Sequence, residues 1–186
     1  MTKLKRLWVS IISNNRVSYK YCFSVQPKLF KEVMRMIELK PVTKHNYMTV
    51  VDLKVHPHQE DFIASNWLSL LEASYEEDKY PFAIYQEGTV VGFLMCSYYP
   101  ADDAYPIDSW WLERLMIDKA HQKKGIGKEA LKRFLNEFKP DENVSEIRIG
   151  ADPKNEWAIK LYESFGFKQE GMVEDENVYV GDWKAE

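Results

Sequence analysis

Residues 115 to 128 read Leu115-Met116-Ile117-Asp118-Lys119-Ala120-His121-Gln122-Lys123-Lys124-Gly125-Ile126-Gly127-Lys128. An apolar run passes into a polar loop, two glycines and an amphipathic stretch, which predicts strand, loop and helix. The first N–H groups of an α-helix have no intrahelical acceptor, and such a row attracts an anion such as a pyrophosphate. Gly125 and Gly127 lack the Cβ that would keep phosphates off the backbone. Lys123, Lys124 and Lys128 add positive charge beside the same spot. A G-x-G pair alone marks only a tight turn. The preceding strand, the intervening Gln and lysines, and the following helix make anion binding the more specific reading.

The elements that must carry this loop follow a mixed α/β pattern from Met36 onward. Ile37, Leu39 and Pro41-Val42 suggest a first strand, and Tyr47 to Val55 a short mixed segment. Pro57 opens a predicted helix through Ser74, with Phe62, Ile63, Trp67, Leu70 and Leu71 at helical spacing. Phe82–Tyr85 and Val90–Met95 read as a hairpin about Glu87-Gly88. A loop over 99–109 leads to a strand over Trp110–Ile117, then a helix over Gly125–Phe138. A strand over Val144–Ile149, a helix over Asn155–Phe165 ended by Gly166, and strands at Phe167 and Val178–Val180 complete the order. This is one sheet with helices, a single domain over 36–186.

Charge is distributed unevenly. The 186 residues carry a net −4, but residues 1–35 hold eight basic residues against Glu32 alone, +7, leaving −11 on the rest. An acidic body favours cationic small molecules and repels nucleic acid. Residues 1–35 read as a basic leader: a disordered extension, an amphipathic leader, or a mis-assigned start ahead of Met34 or Met36. The run Leu7-Trp8-Val9-Ser10-Ile11-Ile12 is short and interrupted for a signal peptide. The mean hydropathy is −0.46, and no apolar run approaches the ~20 residues of a membrane span. Cys22 and Cys96 form neither a metal spacing nor a dense disulfide framework, so a reducing cytoplasm is the expected location. His56 and His58 have no companions at ligand spacing, and no metal is expected.

Gln122-Lys123-Lys124-Gly125-Ile126-Gly127 resembles the Q/R-x-x-G-x-G/A signature of the GCN5-related N-acetyltransferase (GNAT) family. A second block agrees: Asn155, Ala158, Leu161-Tyr162 and Gly166-Phe167 fit N-x-x-A-x-x-L-Y-x-x-x-G-F. The blocks stand in the family's order, and the resemblance covers roughly residues 36–186. It implies a GNAT-like acyl-CoA N-acyltransferase fold, a central mixed sheet flanked by helices and splayed at a bulge. It also implies acetyl-CoA as donor. Carried over by position, Leu115, Met116 and Ile117 would face the pantetheine, and Gln122, Lys123, Lys124, Gly125, Ile126, Gly127 and Lys128 the pyrophosphate. Asn155 and Tyr162 would sit near the sulfur, and Ala158 belongs to the same cofactor-binding block. Tyr162 is then the expected acid for the leaving thiolate. Glu113 is the expected base, with proton removal through water as the alternative.

Residues 57–75, Trp110–Arg114 and Met116–Asp118 further resemble bacterial diamine and spermine/spermidine N-acetyltransferases. The expected acceptor is therefore a polyamine or diamine, held by Glu60, Glu72, Asp102, Asp103 and Trp111, with Glu76 and Asp108 as further candidates. Another amine (an aminoglycoside, an amino acid or a protein N-terminus) and a non-catalytic acetyl-CoA-binding module are the competing readings. No membrane or nucleic-acid partner is expected, and a homodimer stays open.

Overall fold

The structure, a computed structural model, describes residues 37–101, 103, 106–138, 144, 146–173 and 175–182. The leader over 1–35 and Asp102 lie outside them. Seven strands form one sheet in the order β1-β2-β3-β4-β5-β7-β6. These are β1 (Ile37–Pro41), β2 (Lys79–Gln86), β3 (Thr89–Tyr99), β4 (Ser109–Ile117), β5 (Glu146–Ala151), β6 (Lys168–Val173) and β7 (Glu176–Asp182). All neighbours are antiparallel except β4 and β5, which are parallel. The hairpin falls at Glu87-Gly88, where Gln86 pairs with Thr89 and both loop residues take positive φ, 53° and 76°. A two-residue loop of that kind matches the strand twist.

Alternation along β3 divides the core. Phe93 and Met95 face one side with Val50, Ala83 and Met116. Leu94 and Cys96 face the other with Leu131, Phe134, Ile147 and Ile149. α1 (Tyr47–Asp52) and α2 (Asn66–Tyr75) cover the first face. α3 (Ile126–Glu137) and α4 (Glu156–Glu163) cover the second. On α3, Ile126, Ala130, Leu131 and Phe134 form the buried stripe that helical spacing predicts. Gly166, at φ 88°, ends the last helical turn.

Two expectations need correction. The mixed segment is a short helix, α1. The predicted helix over 57–74 is broken into a 3-10 turn (Pro57–Phe62) and α2. Pro57 starts the turn, and Gln59 caps it by accepting from the His56 N–H at 3.1 Å. Ile63 is extended, at φ −155°, and Ser65 starts α2 afresh. The Asn66 amide donates to the Val50 carbonyl at 2.8 Å, tying the new start to α1. α2 buries Asn66 and Ser69 beside the partly buried Leu70 and Ala73 and leaves Trp67 57% exposed, so only part of its apolar spacing marks its packed face.

Two irregularities shape the middle of the sheet. Met95 pairs with Arg114 and Cys96 with Leu112, so Glu113 is an extra residue on β4, a β-bulge. β4 and β5 pair only over Trp110–Leu112 against Ile147–Ile149, although β4 runs on to Ile117 and β5 to Ala151. Beyond Leu112 the two strands part.

Candidate active site

The 118–125 loop is braced from several sides. The Asp118 carboxylate accepts from the Lys54 and Ala120 N–H groups at 3.0 and 2.9 Å. Burial pushes its carboxyl up, but these bonds and nearby His121 outweigh that and hold it below its ordinary value. Gln122 donates to the Ile117 carbonyl at 3.0 Å and to Gln59 Oε1 at 2.9 Å. Its side chain therefore ties the loop to β4 and the 3-10 turn. Lys124 Nζ donates to the Ala120 carbonyl at 2.9 Å.

Gly125, at φ 81°, precedes α3, and no side chain caps the helix. The first helical bond runs from the Glu129 N–H to the Gly125 carbonyl, 3.1 Å. The N–H groups of Ile126, Gly127 and Lys128 stand ahead of it and have no intrahelical acceptor. A Cβ on Gly127 would meet only Ile117 Cγ1, at an ordinary 3.6 Å. Packing does not require glycine there, whereas close approach of an anion would.

The parted strands leave an open edge. The Asp118 N–H donates to the Val91 carbonyl at 2.9 Å, across from its ladder partner. Backbone direction alternates along a strand, so Met116 also turns its N–H and C=O toward β3. Leu115 and Ile117 turn theirs toward the gap. Of the three residues expected to face a pantetheine, these two offer backbone groups to it, and the Ile117 carbonyl is already engaged by Gln122. An amide-bearing extended chain can pair with such an edge as a strand would. This edge and the uncapped helix start adjoin each other through Ile117 and the loop, so the residues present fit a pantetheine pyrophosphate.

At the bulge lies a cleft of about 310 Å³. Four carboxylates line it: Glu72 and Glu76 at the end of α2, Glu113 on β4 and Glu176 on β7. Against them stand Lys79 and Arg114. Tyr99 and Trp111 supply an aromatic wall, ring centroids 6.1 Å apart. Lys79 Nζ is 2.9 Å from both Glu113 oxygens and 3.4 Å from Glu76. The Tyr99 hydroxyl donates to Glu113 Oε1 at 2.6 Å. Burial pushes the Glu113 carboxyl up, but Tyr99 and Lys79 outweigh it and hold the group ionised, below its ordinary value. Burial and the same carboxylate push the Tyr99 phenol up to about 12. Arg114 donates to Ser69 Oγ at 3.3 Å and lies 3.5 Å from Glu72 Oε2, which has no hydrogen bond.

Tyr162 lies on α4, 7% exposed, against Phe167 and Tyr179. Burial, and next the charge of Glu176, push its phenol up, so it stays protonated. Asn155 Oδ1 accepts from the Ala158 N–H at 3.2 Å, capping α4. Of the expected acceptor-binding residues, Glu72 and Trp111 line the cleft. Glu60 is exposed on the 3-10 turn and Asp103 is exposed in the 99–109 loop, neither of them lining it. Asp108 accepts from the Ala101 N–H at 2.7 Å and braces that loop. Lys79, Tyr99, Arg114 and Glu176 were not legible as site residues, because only strand pairing brings them together. Gly150 carried a signal: a glycine inside an apolar strand marks close approach by another group.

The family model described as acetyltransferase (GNAT) family matches residues 32–167. The spermine/spermidine N(1)-acetyltransferase of Bacillus subtilis is 32% identical over 139 residues, 74% of this chain and 91% of the relative. Among solved structures, RimJ of Mycobacterium smegmatis in complex with CoA-disulfide aligns with a TM-score of 0.63 at 18% identity, over 78% of this chain and 81% of that one. The spermidine N-acetyltransferase of Vibrio cholerae, in complex with CoA and spermine, aligns with a TM-score of 0.58 at 15% identity, over 79% and 95%.

Proposed function

The chain belongs to the acetyltransferase (GNAT) family and is an acetyl-CoA-dependent N-acetyltransferase, and from that premise we propose that its acceptor is a primary amine of a polyamine or diamine. The observation that carries this reading is the cleft at the bulge, where four carboxylates face two cations and an aromatic wall. A flexible polycation has little shape to read. A site selects it by placing negative charge and π-faces along a groove. The acetylation of spermine and spermidine named for the Bacillus relative supports the same class.

The N–H groups of Ile126, Gly127 and Lys128 would hold the pyrophosphate, and the edge at Leu115 and Ile117 the pantetheine. Bound acetyl-CoA supplies an electrophilic thioester. The Leu115 or Ile117 N–H is the donor suited to a developing oxyanion. Glu113, ionised at neutral pH, takes the proton of the acceptor ammonium directly or through a water. Tyr162, protonated at neutral pH, supplies the proton needed by a leaving group.

A thiol-release assay of the purified protein with acetyl-CoA and a panel of amines tests this. Spermidine, spermine or a diamine should react best, with kcat/KM falling as salt rises because exposed charge pairs are screened. Equal use of monoamines, amino acids or aminoglycosides, with no salt dependence, would leave the family assignment standing and reject the polyamine acceptor.

A further inference from the structure

Glu176 begins β7, pairing with Val173, while Ala151, the last residue of β5, pairs with the next residue, Asn177. The carboxylate does not continue outward along that edge. It folds back over β5, and a Cβ placed on Gly150 would overlap Glu176 Oε2. The side chain thus occupies the space that any other residue at 150 would fill. Both residues line the cleft that also holds Trp111 and Glu113. The carboxylate therefore forms the β5 wall, across the parted strands from the bulge on β4. Glu176 is exposed, so an incoming cation can reach it.

We propose that Glu176 is a specificity-determining residue that binds an ammonium group of the acceptor at the β5 wall, and that Gly150 is glycine to let it lie there. The inference rests on the reading of the cleft as a cationic-amine site. A carboxylate held over a bare backbone segment is pre-oriented and costs little to order when the ammonium arrives. It complements Glu113, which faces the cleft from the opposite strand.

The test is steady-state kinetics of Glu176→Gln, a nearly isosteric change that removes only the charge, with spermidine as acceptor. KM for spermidine should rise about tenfold, the low end for a charge-assisted contact at a solvent-open site. kcat should change less than KM, and acetyl-CoA affinity by calorimetry and the melting temperature should stay at wild-type values. Gly150→Ala, with Glu176 intact, should raise the same KM by expelling the carboxylate. Added to Glu176→Gln it should raise KM little further. An unchanged spermidine KM in Glu176→Gln, in an enzyme whose wild type acetylates spermidine, would overturn the inference and leave the function standing. So would a Gly150→Ala effect equally large in both backgrounds. A wild type that does not use spermidine would reject the acceptor reading instead.

Discussion

Lys79 and Glu113 are almost fully withdrawn from water, their side chains 6% and 10% exposed. A buried charge needs a partner, and each supplies the other's. The sign of the pH effect follows from Glu113, whose carboxyl is held below its ordinary value. The stability it contributes is present above the ordinary carboxylate pKa and is lost as pH falls through the lower, folded one. Lys79→Met leaves burial acting on Glu113 against Tyr99 and Ser97. The acid limb of the kcat/KM profile should then move up by about one pH unit, and the protein should lose about 3–5 kcal/mol in urea unfolding. An unmoved acid limb would show that Glu113 is not the titrating base. With Tyr162 as the proposed acid, Tyr162→Phe would remove a proton used only in the transition state. It should lower kcat on the order of 10²-fold with acetyl-CoA affinity nearly intact. Wild-type turnover would assign the acid role to water. The motif residues Tyr162 and Asn155 were legible in the sequence by type and spacing. Asn155's bond to the Ala158 N–H is one that an N-cap residue is expected to make. The pairing of Glu113 with Lys79, 34 residues away, was not legible, since no local pattern records which cation a strand partner presents.

At the scale of elements, the loop between β4 and α3 has one glycine demanded by the backbone and one that is not. Gly125 sits in left-handed geometry, while a Cβ on Gly127 would make only an ordinary contact. Gly127→Val should therefore keep the circular dichroism spectrum and cooperative unfolding of the wild type while weakening acetyl-CoA binding by about tenfold or more in calorimetry. Unchanged affinity would remove the pyrophosphate from this helix start. The β2–β3 hairpin, α3 and α4 were readable because their burial follows their own periodicity. The 57–75 segment was not. Its apolar residues recur at helical spacing, yet Asn66 and Ser69 face inward, since each meets a specific partner, the Val50 carbonyl and Arg114. Tertiary hydrogen bonding overrode periodicity there.

Over the whole molecule, the described residues belong to a chain whose acidic part begins after the leader. Residues 36–186 carry the net −11 and both motif blocks. A chain starting at Met36 should fold with the same melting temperature and retain full acetyl transfer. Loss of solubility or activity would show that residues 1–35 contribute to the domain. No helix among the described residues is long and apolar enough to cross a membrane.

The sequence by itself determined the order of elements, the sheet class, the glycine-led helix start and the Tyr162 motif, because each depends on neighbours within one turn, one loop or one helix. Only the tertiary structure decided the cleft proposed for the acceptor. The bulge at Glu113, the parting of β4 from β5 and the return of Glu176 over Gly150 depend on which strands lie side by side. Strand order brings together Lys79, Tyr99, Glu113 and Glu176, residues spread over 98 positions. Their charges form one site because pairing across the sheet sets distances that no spacing along the chain encodes.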